Sequence, residues 1–440
     1  MDFVKDDVRK LFWKFLVTSL GSALVISIYS FVDTIAVGQS EGPAGSAAMA
    51  VMSPLFGISV SLAIMCGIGG SVLMSAARGE GQKEKGDEFF TAALILVGGI
   101  IAVTWLILAL FGASIMAFFG ADEALLPTVM RYARWLIGFW PFFMLPIFFG
   151  AFVRNDGAPG LATASVVIGA VVNVFLDWYL VFPGGWGIRG AAIATVIGTV
   201  LQFVILAVHF FRPSCRLRLA KPENLGRAMK GILAVGFGAG VLDFGTVFLA
   251  VILNNQVMRY GGPNALAVFG VITTLAALFQ ALFGGVGQAI QPLTSTNFGA
   301  GQGGRIRQLF RLGLGTALIL GTVFTLIGVL LPRQVTRLFM AATPEVLAIA
   351  PGMFRLYCLN FFCLALTVLA TYYLQSILQS KMSMTVAVLR SFLISGALLY
   401  LLPLAWGLNG VMLALPVSEL IVAVLAMTYI AKKANPALPD

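Results

Sequence analysis

Asn173 and Asp177 stand one helical turn apart in an otherwise apolar stretch. Side chains at i and i+4 share one helix face. Hydrocarbon cannot solvate a carboxylate as water does, so an acid in such a stretch is read first as functional. Asp33 and Thr195 add a second carboxylate and a hydroxyl. At a helix rise of 1.5 Å per residue, Asp177 lies roughly 24 Å along an outward-running span that enters near 161, and Asp33 roughly 28 Å along the first span. Thr195 lies roughly 9 Å below the outer surface on the returning span. The four residues therefore fall in the outer half of the first six spans and form a candidate cation or proton site. Burial favours the neutral form of a carboxyl, and a second carboxyl nearby favours it further, so such a pair takes up and releases a proton near neutral pH. The same oxygens suit sodium, since hard cations prefer oxygen ligands. Asp33 is close enough to its span end that simple hydration at the outer interface is the alternative.

The second half carries different acids. Asp243 and Glu419 fall about 13 and 11 residues into their spans, near mid-membrane by rise. They are candidates for binding a cationic substrate, the alternatives being a second proton site or pairing with a neighbour such as Gln256 or Gln280. Trp140, Phe279 and Tyr372 are candidate walls of an apolar cavity that would hold flat cations by stacking and cation–π contact. For any single aromatic, helix packing or lipid contact is the commoner role.

Composition says what must position these groups. The chain has 440 residues, of which 59% are hydrophobic and only 10% charged, and its mean hydropathy is +0.97. A soluble domain carries roughly 25% charged residues, so this chain is a polytopic membrane protein. Twelve apolar spans follow, near 14–38, 50–76, 89–113, 127–152, 161–182 and 189–211, then 231–258, 265–292, 309–331, 349–375, 384–404 and 408–431. Each is long enough to cross about 30 Å of hydrocarbon. The expected fold is all-α, with twelve transmembrane helices in two six-helix bundles.

The formal charge of +10 reads as a topology signal, with no nucleic acid implied. Lys and Arg gather at the N-terminus, in the loops after spans 2, 6 and 8, and in the tail, with Arg333 and Arg337 the main exception. Both termini are therefore expected in the cytoplasm. The four cysteines show no CxxC spacing and no His partner in sequence, which supports neither a disulfide framework nor a metal site. No cofactor is expected. Gly236–Gly240 and Gly284–Gly287 lie inside apolar spans with no preceding strand, so they read as close helix packing.

The halves repeat. Gly79-Glu80-Gly81-Gln82 recurs as Gly299-Ala300-Gly301-Gln302, and Trp186-Gly187 recurs as Trp406-Gly407, both at an offset of 220. Six spans per half give copies of like orientation, so a pseudo-twofold axis along the membrane normal is expected. The division expected is an N-lobe over 1–212, a cytoplasmic linker over 213–229 and a C-lobe over 230–440. Such bundles carry solutes by rocking about a central site. The same offset maps Asp33, Asn173, Asp177 and Thr195 onto Leu253, Leu393, Ala397 and Leu415. That one-sidedness favours a functional cluster over a scaffold feature.

Several stretches resemble the MATE family of multidrug and toxic compound extrusion transporters, in its DinF/MepA-like branch. They are Val32-Asp33-Thr34 with Val37-Gly38, Phe152-Val153-Arg154-Asn155-Asp156-Gly157, Asn173 to Asp177, and Trp186 to Ala192. The resemblance implies a secondary antiporter, not an enzyme, that exports small organic cations in exchange for H+ or Na+ from the inner membrane as a monomer among membrane lipids. It places Asp33, Asn173, Asp177 and Thr195 at the N-lobe cation or proton site. Asp243 falls near the acidic position of NorM-like members. No proline occurs from 1 to 42, so the first-helix bend of some members is not implied. The runner-up is a flippase for lipid-linked oligosaccharides, whose pyrophosphate would want several Arg or Lys within the membrane.

Overall fold

The computed structural model describes the backbone of residues 2–121, 123–339 and 344–438, and the side chains of these except at 28–35, 38–44, 46, 47, 50, 242–244, 246, 247, 263, 267 and 339. All regular structure among the described residues is helical. The helices are α1 (Val8–Gly79), α2 (Lys83–Phe118), α3 (Leu126–Gly138), α4 (Pro141–Asn155), α5 (Pro159–Val181), α6 (Gly187–Ala207), α7 (Leu225–Gly299), α8 (Gly303–Leu330), α9 (Pro332–Phe339), α10 (Pro344–Cys358), α11 (Asn360–Ser376), α12 (Ser380–Val388) and α13 (Ile394–Tyr429). A short 3-10 helix covers Val208–Phe211, and π-helical turns cover Leu389–Leu393 and Ile430–Ala434.

This is a two-lobed, twelve-helix fold. Nine helical stretches among the described residues are long and apolar enough to span, or ten if the bent pair α3–α4 is one span. That pair bends by 50° between Gly138 and Pro141, because proline cannot donate to the preceding turn. The α7 and α13 helices each cover more than one expected span. Their breaks come at Gly262 (φ 72°) and Gly407 (φ 53°), where only glycine takes a left-handed backbone without strain.

The chain divides into two compact units. The first takes residues 21–236; the second takes 2–20 and 237–440. In the first unit, α3 shows how pattern becomes packing. Val129, Tyr132, Ala133 and Leu136 recur at helical spacing and are buried, while Arg131 and Arg134 on the other face are exposed. Segment 215–223, inside the expected linker, is docked on this unit. Cys215 and Leu217 join the apolar core with Phe90 and Phe152, and Ala220 N–H donates to Thr91 Oγ1 at 3.0 Å. The glycine-rich stretch at 236 packs rather than binds phosphate. A Cβ on Gly236 would strike the Met65 carbonyl, and one on Gly69 the Ile232 carbonyl.

In the second unit, every residue of α11 is buried except Phe362, which is exposed, and Leu366, which is half-buried; the helix packs on α8 and α13. Residues 2–20 belong here for a visible reason. Arg305 donates to the carbonyls of Phe3 (3.0 Å) and Asp6 (2.6 Å), and Asn297 Nδ2 donates to Phe3 O at 2.9 Å.

Candidate functional site

The α5 helix is built to bury one stripe. Ala162, Ser165, Gly169, Asn173, Asp177 and Val181 are all buried and recur every three or four residues. The stripe meets α6 in an extensive helix pairing. Gly169 and Gly198 permit it: a Cβ on Gly198 would lie 3.0 Å from both Asn173 Cβ and Gly169 O. Small residues at such a crossing let backbones approach closely. Asn173 is thus clamped against α6, 3% exposed, and Asp177 one turn on is fully buried.

Among the described residues, neither α5 nor α6 buries a Lys or Arg. The α5 helix has no Lys or Arg, and the one in α6, Arg189, is exposed. Neither polar end of the Asn173 amide has a hydrogen-bond partner among the described residues. Thr195 is half-buried on α6, one turn before Gly198, and its hydroxyl donates back to Ala191 O at 2.9 Å. Structure therefore brings Asn173 and Asp177 together on one buried face and sets Thr195 on the partner helix. Asp33 and Asp243 lie outside the described side chains.

The second unit treats its acid differently. Glu419 on α13 pairs through Oε1 with Arg390 Nε, and its Oε2 accepts from Thr367 Oγ1 at 2.5 Å. Neither Gln256 nor Gln280 is the partner shown. Arg390 sits in the π-helical turn Leu389–Leu393, which widens the helix and turns its side chain inward, and the Ser395 hydroxyl donates to Arg390 O at 2.5 Å. Sequence reasoning weighed the acids and passed over Arg390, although a lone arginine in the apolar segment 384–404 carries the same signal of cost. Trp140 is buried in the first unit's core, its indole N–H donating to Thr104 Oγ1 at 3.0 Å. Phe279 is stacked on Phe324 with centroids 3.8 Å apart. Tyr372 is buried with its ring against Gly287, and Gln280 is half-buried.

A third cluster lies at the end of the first unit that holds the basic loops. Asp156, whose side chain is fully buried, accepts from Arg78 Nη1 (2.7 Å) and Arg216 N–H (2.9 Å), and His209 Nε2 lies 2.8 Å from its Oδ2. Arg78 also reaches Asp87 Oδ1 at 2.8 Å and Arg216 O at 2.7 Å. Asn155 bonds Ser75 (2.9 Å) and Ser71 (3.2 Å) of α1. The Arg154–Gly157 motif is thus a corner that ties α1, α2, α4 and segment 215–223 together. Cys215 has no histidine neighbour in sequence, yet folding brings Cys215, His209 and Asp156 ligand atoms within 4.8 Å of one another, because the segment after the 3-10 helix turns back onto Asp156. Burial pushes the Cys215 thiol up from its ordinary value. The four cysteines are free thiols.

The two halves of the chain match one family model in succession, over residues 19–179 and again over 239–401, described as MatE. The chain belongs to the MatE family. The two matched segments begin 220 residues apart, the same offset as the sequence repeat. MATE proteins are membrane transporters and not enzymes. The chain is 28% identical to the probable multidrug resistance protein YoeA of Bacillus subtilis (strain 168) over 338 residues, 74% of this chain and 72% of that protein. It is 24% identical to the multidrug export protein MepA of Staphylococcus aureus (strain NCTC 8325 / PS 47), covering 97% of this chain and 94% of that one. A crystal structure of MATE in complex with MaL6 superposes with a TM-score of 0.91 at 20% identity, over 99% of this chain and 98% of the other. That last likeness concerns the MATE fold.

Proposed function

We propose that this MATE protein is a multidrug exporter, working as a secondary antiporter that moves small organic cations outward in exchange for H+ or Na+ by alternating access. Export of drugs is the activity named for the relatives YoeA and MepA. The observation that carries the antiport reading is the buried pair Asn173–Asp177 on α5. A buried amide without a partner costs about 1–3 kcal/mol, so a site that retains the Asn173 amide beside a buried acid is one that a cation or a proton suits. Asp33 and Thr195 are the further members assigned to that site. The protein would work as a monomer in the inner membrane with both termini in the cytoplasm.

Asp243, Glu419, Gln280, Trp140, Phe279 and Tyr372 stand as candidates for cargo contact. Their positions rank them: Trp140 and Phe279 are committed to packing inside their own units and Glu419 is held by Arg390, which makes Gln280 the first to substitute. The flippase alternative wants several membrane-embedded cations. Among the described residues Arg390 is the buried Arg or Lys in an apolar helix, and Glu419 neutralises it.

The test is dye efflux from proteoliposomes driven by a sodium gradient alone and then by a proton gradient alone. Wild type should respond to one of them, and Asp177→Asn should abolish the gradient-driven flux while the protein still inserts. Undiminished efflux by a well-expressed D177N protein would remove Asp177 from the coupling site.

A further inference from the structure

The second unit carries a cavity of about 400 Å3 between the first turns of α8 and the tail that follows α13. That volume lies within the ~300–1,000 Å3 usual for ligand pockets. Its polar lining is Arg307, Arg311 and Asn435; Phe310, Leu314 and Pro436 supply apolar lining. Arg307 and Arg311 are four residues apart, so they share one face of α8, with their Cα atoms about 6 Å apart along the axis. The walls are fixed in place. Arg307 Nη2 donates to Leu438 O at 3.4 Å, Tyr373 donates its hydroxyl to Asn435 Oδ1 at 2.5 Å, and the Phe310 and Tyr373 rings pack with centroids 4.5 Å apart. Lys432 and Lys433, both exposed, add positive charge on the adjoining turn.

Depth and polarity point the same way. In the sequence the apolar run of α8 begins near 309, so Arg307 precedes it and Arg311 lies just inside, where the headgroup region of a bilayer is expected. Phe310 and Leu314 continue the groove toward the hydrocarbon. We propose that this groove binds an anionic glycerophospholipid, its phosphate held by Arg307 and Arg311 and the start of an acyl chain lying along Phe310 and Leu314. Guanidinium matches phosphate geometry bidentately, and basic pockets between helices at the membrane surface favour anionic headgroups. The first unit offers a contrast: a groove of about 370 Å3 lined by Trp135, Phe139, Ile197, Val204 and other apolar residues, with no charged group. Nothing there distinguishes one headgroup from another.

Native mass spectrometry of the full chain, titrated with phosphatidylglycerol or phosphatidylcholine, tests the assignment. Wild type should retain the anionic lipid on the order of tenfold more tightly, and millimolar inorganic phosphate should not displace it. Arg307→Gln with Arg311→Gln should remove the preference. Arg333→Gln with Arg337→Gln, an exposed basic pair four residues apart on α9, should leave it intact. Should the first double variant fail to fold, R311Q alone, at an exposed position, should cut the preference severalfold, and the wild-type preference should weaken as salt is raised. Equal loss in both double variants, displacement by free phosphate, or a preference insensitive to R311Q and to salt would each overturn the proposal.

Discussion

Asp177 in the first unit and Glu419 in the second are both acids buried in apolar helices, and their company differs. Glu419 is fixed by the Arg390 guanidinium and the Thr367 hydroxyl. Asp177 shares its helix face with glycine, alanine, serine and an amide, on a helix without a basic residue. A proton arriving at Glu419 would strand a buried arginine. A proton or metal cation arriving at Asp177 neutralises a charge on a pair of helices that bury no Lys or Arg. On the coupling role proposed above, the difference is that between an acid that holds structure and one that changes state during a cycle.

That contrast can be broken most forcefully through stability. Glu419→Ala should destabilise the protein by about 3–5 kcal/mol, because it leaves Arg390 buried and unpaired. The double change R390M with E419L should recover most of the loss. Thermal unfolding in detergent reads both; D177N should unfold close to wild type. If E419A were as stable as D177N, the two acids would not differ in kind.

The surface ends of the units sharpen the same comparison. In the first, Asp156 is the hub, so Asp156→Ala should cost about 1.5–3 kcal/mol, because Arg78 and the Arg216 amide lose a charged partner while Arg78 keeps Asp87. In the second, the chain's own N-terminal segment does the tying, through Arg305. Arg305→Gln should cost about 1.5–3 kcal/mol and expose residues 2–20 to hydrogen exchange while leaving protection in the first unit unchanged. Gly198→Val comes next. The added methyls would push Asn173 off α6 at a cost of about 1–3 kcal/mol, and dye efflux should fall more than stability does. The smallest effect concerns Cys215. Burial raises its thiol, so less thiolate exists at neutral pH than for a free cysteine. Maleimide labelling should be slow at neutral pH and accelerate as pH rises; fast labelling at neutral pH would contradict the docked segment.

Much of this was legible in the sequence, and the reasons are physical. Twelve spans follow from hydropathy because a bilayer demands length. The burial of Asn173 and Asp177 follows from their spacing, since i and i+4 share a face. The arginine partner of Glu419 did not follow, because pairing between α13 and the π-helical turn at 389–393 depends on a helix widening that no local pattern announces. The Asp156 corner was visible only as a motif. Its purpose depends on Arg78, His209 and Arg216, which come together from positions up to 138 residues apart. The docking of residues 2–20 on the second unit was equally hidden, since it rests on backbone carbonyls at Phe3 and Asp6 rather than on any side-chain pattern.

The most direct test of the central claim is to record dye export and cation uptake together in the same liposomes, for wild type, D177N and E419Q. Coupling through Asp177 predicts that wild type and whatever folded E419Q remains take up H+ or Na+ as dye leaves, and that D177N does neither. Cation uptake coupled to export in D177N at the wild-type ratio would contradict it.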